Sequence, residues 1–203
     1  MILEPRFKTD VAGLPSFKFG PSSLTWWGIL GYMVIEGAAF ALTFAAYFFL
    51  MSHEAGWPPE GRRAPDILAG TLFTIVILAS EIPNTAIKKA ARKGDVAAIR
   101  SLMPVMVVVG VILMIIRGFE FNSLNCLWTD NAYGSIIWAL LFLHTVHILT
   151  DWFDTIVLWA LIRTPLAYEG RRQVDVDENS LYWRYVWLLW IPIYLMIYWV
   201  PRL

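Results

Sequence analysis

From residue 24 onward the chain is built of long apolar runs separated by short polar ones. The runs cover about 24–51, 67–90, 101–121, 132–163 and 181–200. A helix needs roughly 20 apolar residues to cross a hydrocarbon core. The third run reaches that length only when Ser101 and residues 117–121 are added to its centre. Backbone groups in lipid must be satisfied within the segment, so these runs predict helices and not isolated strands. No internal repeat or low-complexity stretch interrupts them, and no connection is long enough for a soluble domain. The pattern predicts an all-α integral membrane protein, a bundle of five transmembrane helices forming one membrane domain over 1–203.

The connections carry the orientation. Trp57-Pro58-Pro59-Glu60-Gly61 is a turn-rich link, residues 88–100 form a short basic one, and the acidic run 174–178 precedes the last apolar segment. Of the 16 basic residues, all but Arg62, Arg63, Arg117 and Arg202 fall on the side of the N-terminus, with Arg6, Lys8 and Lys18 among them. This positive-inside bias predicts a cytoplasmic N-terminus, and an odd number of spans then predicts a periplasmic C-terminus. The N-terminal Met1-Ile2-Leu3-Glu4-Pro5-Arg6-Phe7-Lys8 lacks the apolar core of a cleavable signal, so the first run is expected to remain as a helix.

Composition narrows the class further. Of 203 residues 58% are hydrophobic and 16% charged, too little charge to cover a soluble domain of this length. Eleven Trp and eight Tyr fit aromatic belts at the bilayer surface. Basic and acidic residues balance at 16 each, so no excess argues for a nucleic-acid partner. A lone Cys126 excludes an internal disulfide or a thiolate cluster. His53, His144 and His147 are the only histidines, with His53 expected in the loop after the first helix. A diheme cytochrome held by paired axial histidines needs more, and a heme-copper catalytic subunit more again.

Ionisable groups at membrane depth are costly and each requires a partner or a role. Glu36 sits in the first helix beside the small residues Gly37, Ala38 and Ala39, as a helix-interface carboxyl or a participant in proton handling. Glu81 stands just before Pro83 near the inner end of the second helix and reads as structural. In the fourth helix His144, His147, Asp151 and Asp154 follow one another at three, four and three residues, a spacing that puts them on one face. Such a seam suits a set of contacts satisfied by neighbouring helices or another subunit, a proton relay, or a transition-metal site.

The third and fourth helices carry three motifs in register: Phe119-Glu120-Phe121, then Asp130-Asn131-Ala132-Tyr133-Gly134-Ser135, then His144-Thr145-Val146-His147-Ile148. This order resembles subunit III of the heme-copper terminal oxidases (cytochrome c and quinol oxidases), in its five-helix bacterial form. Glu36 falls where that family has a buried Glu followed by aromatics, here Phe40, Phe44, Tyr47, Phe48 and Phe49. The segment from Leu181 to Trp199 resembles its last helix, with Asp177 near the usual acidic residue. The chain departs from the family in Arg184 and Trp187, where His and Asp are usual, in Asp151, where a small residue is usual, in the unexpected Asp154, and in Phe121 and Asn131.

The resemblance implies a non-catalytic subunit of a respiratory oxidase that reduces oxygen to water in the bacterial inner membrane. It implies packing against the catalytic subunit I and subunit II, with heme and copper in the catalytic partner and none bound by this chain. Support of proton uptake, protection during turnover, bound phospholipid and an oxygen route belong to the same expectation. Glu36 is then the buried, hydrogen-bonded carboxyl facing lipid or subunit I. Glu120, with Arg117 and Asp130, is expected as an ion-paired anchor of helix ends near the outer surface, and Tyr133-Gly134-Ser135 as the start of the fourth helix. Alternatives are an accessory subunit of a nitric oxide reductase, a small transporter or proton channel using Glu36 and the His144/His147/Asp151/Asp154 seam, or a membrane metalloenzyme on that seam.

Overall fold

A computed structural model describes residues 17–203. Arg6, Lys8 and the segment tested for a signal peptide lie outside the described residues. Within them the chain is helical, without strands, and five helices are long and apolar enough to cross a membrane. They are α1 (Leu24–His53), α2 (Ile67–Lys93), α3 (Val96–Asn122), α4 (Ala132–Leu161) and α5 (Gly170–Arg202).

Local chemistry explains the helix ends and corrects several expected boundaries. The third helix does not begin near 101. Asp95 caps α3 by accepting the Ala98 N–H at 3.0 Å, and the preceding Gly94 ends α2 in the left-handed region at φ 71°, which glycine tolerates best. The last helix does not begin near 181. It starts at Gly170, so the acidic run 174–178 lies inside α5 and not before it. Those polar turns are held by neighbours: Arg92 forks onto Asp177 at 2.7 and 3.2 Å, and Asn84 donates to the Ser180 carbonyl at 3.0 Å. His53 belongs to the last turn of α1 and not to the following loop.

Two helices are interrupted. In α2 the regular hydrogen bonding stops at Ser80, and Pro83 has no N–H to offer Ala79. Beyond Pro192, α5 widens into a π-turn over Leu195–Trp199. Trp183 donates to the Ser80 hydroxyl at 2.8 Å, so an α5 side chain seats the break in α2.

The helices α2 to α5 pack on one another around Phe73, Ile77, Met103, Leu113, Leu140, Trp190 and Tyr198. The first helix lies to one side, against α4 and α5. Its outer face exposes Val34, Ile35, Leu42, Phe48 and Phe49. In a soluble protein that would be an unpartnered apolar patch; in lipid it is the ordinary surface of a spanning helix.

Candidate functional site

Among the described residues, the end of α3 nearest the Trp57 loop holds the most deeply buried charges. Arg117 and Glu120 stand at i and i+3 on α3, so the helix alone brings them together. Arg117 is 1% exposed and Glu120 not at all. Arg117 Nη1 donates to Glu120 Oε2 at 2.7 Å, and Tyr198 of α5 donates to Glu120 Oε1 at 2.6 Å. The guanidinium lies over the rings of Phe73 (3.8 Å) and Trp190 (4.6 Å), a placement that suits a cation removed from water.

This corrects the expectation of an outer-surface anchor. Glu120 is a core residue, and its ion pair is not a surface pair. Asp130 takes no part in it. Instead Asp130 accepts the Leu127 N–H at 2.9 Å and pairs with Arg62 at 2.8 Å, tying together the two loops at that end. Arg117, expected at the outer end of the third run and counted with the outer-side charges, is inside the bundle.

His144 joins the same network. An arginine can only donate, so the 3.0 Å contact from Arg117 Nη2 makes His144 Nδ1 an acceptor. The Nε2–H then donates to the Val186 carbonyl at 3.1 Å. Both nitrogens are engaged with the ring neutral, and the ring stacks on Trp190 at 5.0 Å. Thus Glu120 of the first motif and His144 of the third meet at one arginine.

The rest of the fourth-helix seam goes elsewhere. His147 reaches α1, where Nε2 stands 3.1 Å from Glu36 Oε1, and its Nδ1 lies 2.6 Å from the Leu143 carbonyl. Tyr182 of α5 donates to the two Glu36 oxygens at 2.9 and 2.7 Å. Asp151 and Asp154 share one side-chain amide: Asn179 Nδ2 donates to Asp151 at 2.9 Å and to Asp154 at 3.1 Å. One helical face therefore serves three separate clusters. Among the described residues no three His, Cys, Asp or Glu come close enough to share a metal ion.

The second motif builds the start of α4. Asn131 caps it by accepting the Gly134 N–H at 2.8 Å, and Ser135 donates to the Trp128 carbonyl at 2.7 Å. Tyr133 is buried against Trp57, whereas Phe119 faces outward on α3. In the same loop Cys126 is buried, and desolvation pushes its thiol up to about 11, with Asp130 adding to the shift and Arg62 opposing it. At pH 8 its thiolate fraction is then about a hundredfold below that of a free cysteine, and maleimide labelling of the folded chain is expected to be slower by at least that factor. Labelling as fast as in the denatured chain would contradict the burial.

Glu81 accounts for the two substitutions in the last helix. Arg184 reaches its carboxylate through Nε at 2.8 Å and through Nη2, and Trp187 Nε1 donates to it at 3.0 Å. Asn84 and Thr85 complete the shell at 2.9 and 2.7 Å. Arg184 and Trp187 act as a matched set around one carboxylate three helices away in sequence. The contributions of Tyr182, Tyr198 and Asn179 had no signal in the sequence, because nothing marks which tyrosine or amide of α5 turns toward a carboxyl on α1, α3 or α4.

The geometry can be set beside known proteins. A family model described as cytochrome c oxidase subunit III matches residues 22–201. The chain is similar to cytochrome c oxidase subunit 3 of Synechocystis sp., with 26% identity over 180 residues, 88% of this chain and 77% of that protein. It is similar to the probable cytochrome c oxidase subunit 3 of Nocardia farcinica, with 28% identity over 178 residues, 85% and 86% of the two chains. The cytochrome c oxidase subunit 3 of Mammuthus primigenius is 24% identical over 201 residues, 94% of this chain and 76% of that protein. The match runs from the turn before α1 to the end of α5, across the three motifs and the arginine that joins two of them. A multi-pass membrane protein with these features belongs to the cytochrome c oxidase subunit III family.

Proposed function

We propose that this chain is a non-catalytic accessory subunit III of a bacterial heme-copper respiratory oxidase. The family match over residues 22–201 carries the reading. In it, the chain is one membrane domain of the bacterial inner membrane, with its N-terminus cytoplasmic and its C-terminus periplasmic, as the distribution of Lys and Arg supports. It packs beside subunit II and the catalytic subunit I, which holds heme and copper, and steadies the catalytic subunit while oxygen is reduced to water. The Arg117–Glu120–His144 network supports a scaffold role, since its polar atoms are turned on one another and on Tyr198 and Val186. The Glu36–His147 pair supports a part in proton uptake, because a carboxyl and an imidazole face each other at 3.1 Å between two spanning helices. The apolar outer face of α1 supports contact with phospholipid or subunit I, and an oxygen route along it.

A mild-detergent pull-down of the tagged chain, followed by a visible spectrum and metal analysis, tests this. Heme and copper are expected in the eluate together with larger subunits. Heme with non-heme iron and no copper would instead indicate a nitric oxide reductase assembly. A colourless chain without partners would overturn the accessory-subunit reading and favour a small transporter.

A further inference from the structure

The hydrogen bonds around His147 limit where a proton can be. Its Nδ1 faces a carbonyl at 2.6 Å, and a carbonyl can only accept, so Nδ1 carries a hydrogen. The other nitrogen stands 3.1 Å from a Glu36 oxygen. If both of those atoms were bare, two lone pairs would face each other at hydrogen-bond distance in a poorly solvated interior. One proton between them removes the conflict, either as acid and imidazole or as carboxylate and imidazolium. Both placements leave the pair with no net charge, the cheapest condition at membrane depth.

Aromatic side chains flank the pair. The ring of Phe40, one turn further along α1, packs on His147 with centroids 5.0 Å apart and is fully buried. Tyr182 touches Glu36 and also lines a groove of about 390 Å³ between α1, α4 and α5. Asp151, Asp154, Asp175, Glu178 and Asn179 line the same groove, near the starts of α1 and α5. Asp151 is only 3% exposed, and among the described residues its Oδ2 has no hydrogen-bond partner although the side chain lines this space. A buried carboxyl oxygen left open in this way calls for a hydrogen-bond partner from within the groove, such as a water. The titratable groups facing the pair are Tyr32 on α1, Asp151 on α4, and Tyr182 and Tyr185 on α5.

We propose that Glu36 and His147 together hold one exchangeable proton, which reaches them from the groove between α1, α4 and α5 through the Tyr182 hydroxyl. In each exchange a donor in the groove passes its proton to the Tyr182 oxygen as Tyr182 passes its own to Glu36, and the reverse sequence releases it. Asp151 and Asp154 hold donors at the Tyr182 end of the groove. This deepens the proton-uptake part of the function proposed above and rests on that reading for its purpose.

The test uses the full chain in lipid nanodiscs, with ¹⁵N-histidine and transfer from H₂O to D₂O. His147 is identified by the signals lost in His147→Asn. One proton is expected at Nδ1 and one shared between Nε2 and Glu36, the latter lost in Glu36→Gln. Tyr182→Phe is expected to slow exchange of the shared proton about a hundredfold, at the low end of what a positioned donor contributes, and Asp151→Asn to slow it in the same direction with helicity intact. An Nε2 without a proton beside an ionised Glu36 would overturn the proposal. So would an unchanged exchange rate in Tyr182→Phe or, if that variant does not fold, in Asp151→Asn. These signals come from the chain alone, so failure here is separable from failure of the pull-down.

Discussion

Arg117→Leu is expected to destabilise the bundle by about 3–5 kcal/mol, the cost of leaving one partner of a buried ion pair behind. Glu120 would keep only the Tyr198 hydroxyl at 2.6 Å, in a site with no solvent exposure. His144 Nδ1 would lose the Arg117 donor, and the Phe73 and Trp190 rings would lose the cation lying over them. Unfolding in mixed micelles with rising dodecyl sulfate measures the effect. The double variant Arg117→Leu/Glu120→Leu is expected to recover most of the loss, because apolar groups can replace a whole buried pair at little cost. The exposed Arg63–Asp66 pair at 3.5 Å gives the contrast: breaking it is expected to cost about 1 kcal/mol or less. Equal effects at the two sites would contradict the assignment of Arg117 to the core.

Gly134→Ala carries the second large effect. A Cβ on Gly134 would stand 2.2 Å from the carbonyl oxygen of Leu127, a backbone atom. That carbonyl cannot turn away cheaply, because the loop is fastened on both sides. Asp130 holds the Leu127 N–H, Trp138 donates to the Cys126 carbonyl at 2.8 Å, and Ser135 holds Trp128. Added volume must then move the start of α4 or the whole loop, at about 3 kcal/mol, the upper part of the range for overpacking. Gly118, near the end of α3, has nothing within 4 Å of the same added atom. There the alanine is expected to stabilise by about 0.5–1 kcal/mol through helix propensity. Thermal denaturation of both variants in one detergent separates the cases, and a Gly134→Ala protein as stable as the parent would sink the packing argument.

Each of these effects combines something legible along the chain with something that is not. The i, i+3 spacing of Arg117 and Glu120 could be read directly, since α-helical geometry brings such a pair together. Their burial could not, because a charged pair near the end of an apolar run looks the same whether it faces headgroups or the core. The three-, four- and three-residue spacing of His144, His147, Asp151 and Asp154 puts them on one face of α4 by helix geometry alone. Its division among Arg117, Glu36 and Asn179 depended on three other elements that approach that face at successive levels.

What the sequence determined by itself was the set of spanning helices, and the reason is general: in hydrocarbon a long apolar segment has no other way to satisfy its backbone. It also determined the family, through motifs whose order survives substitution. The tertiary structure alone decided which side of each helix turns inward. Lipid and protein core are equally apolar, so α1 and α3 carry no apolar stripe that would orient them. It decided too that α5 begins at Gly170, because its polar first turns are helical only where Arg92 and Asn84 meet them. And it joined residues more than a hundred positions apart, Glu36 with Tyr182 and Glu81 with Arg184, since a buried carboxylate must find its donors wherever rigid helices happen to bring them.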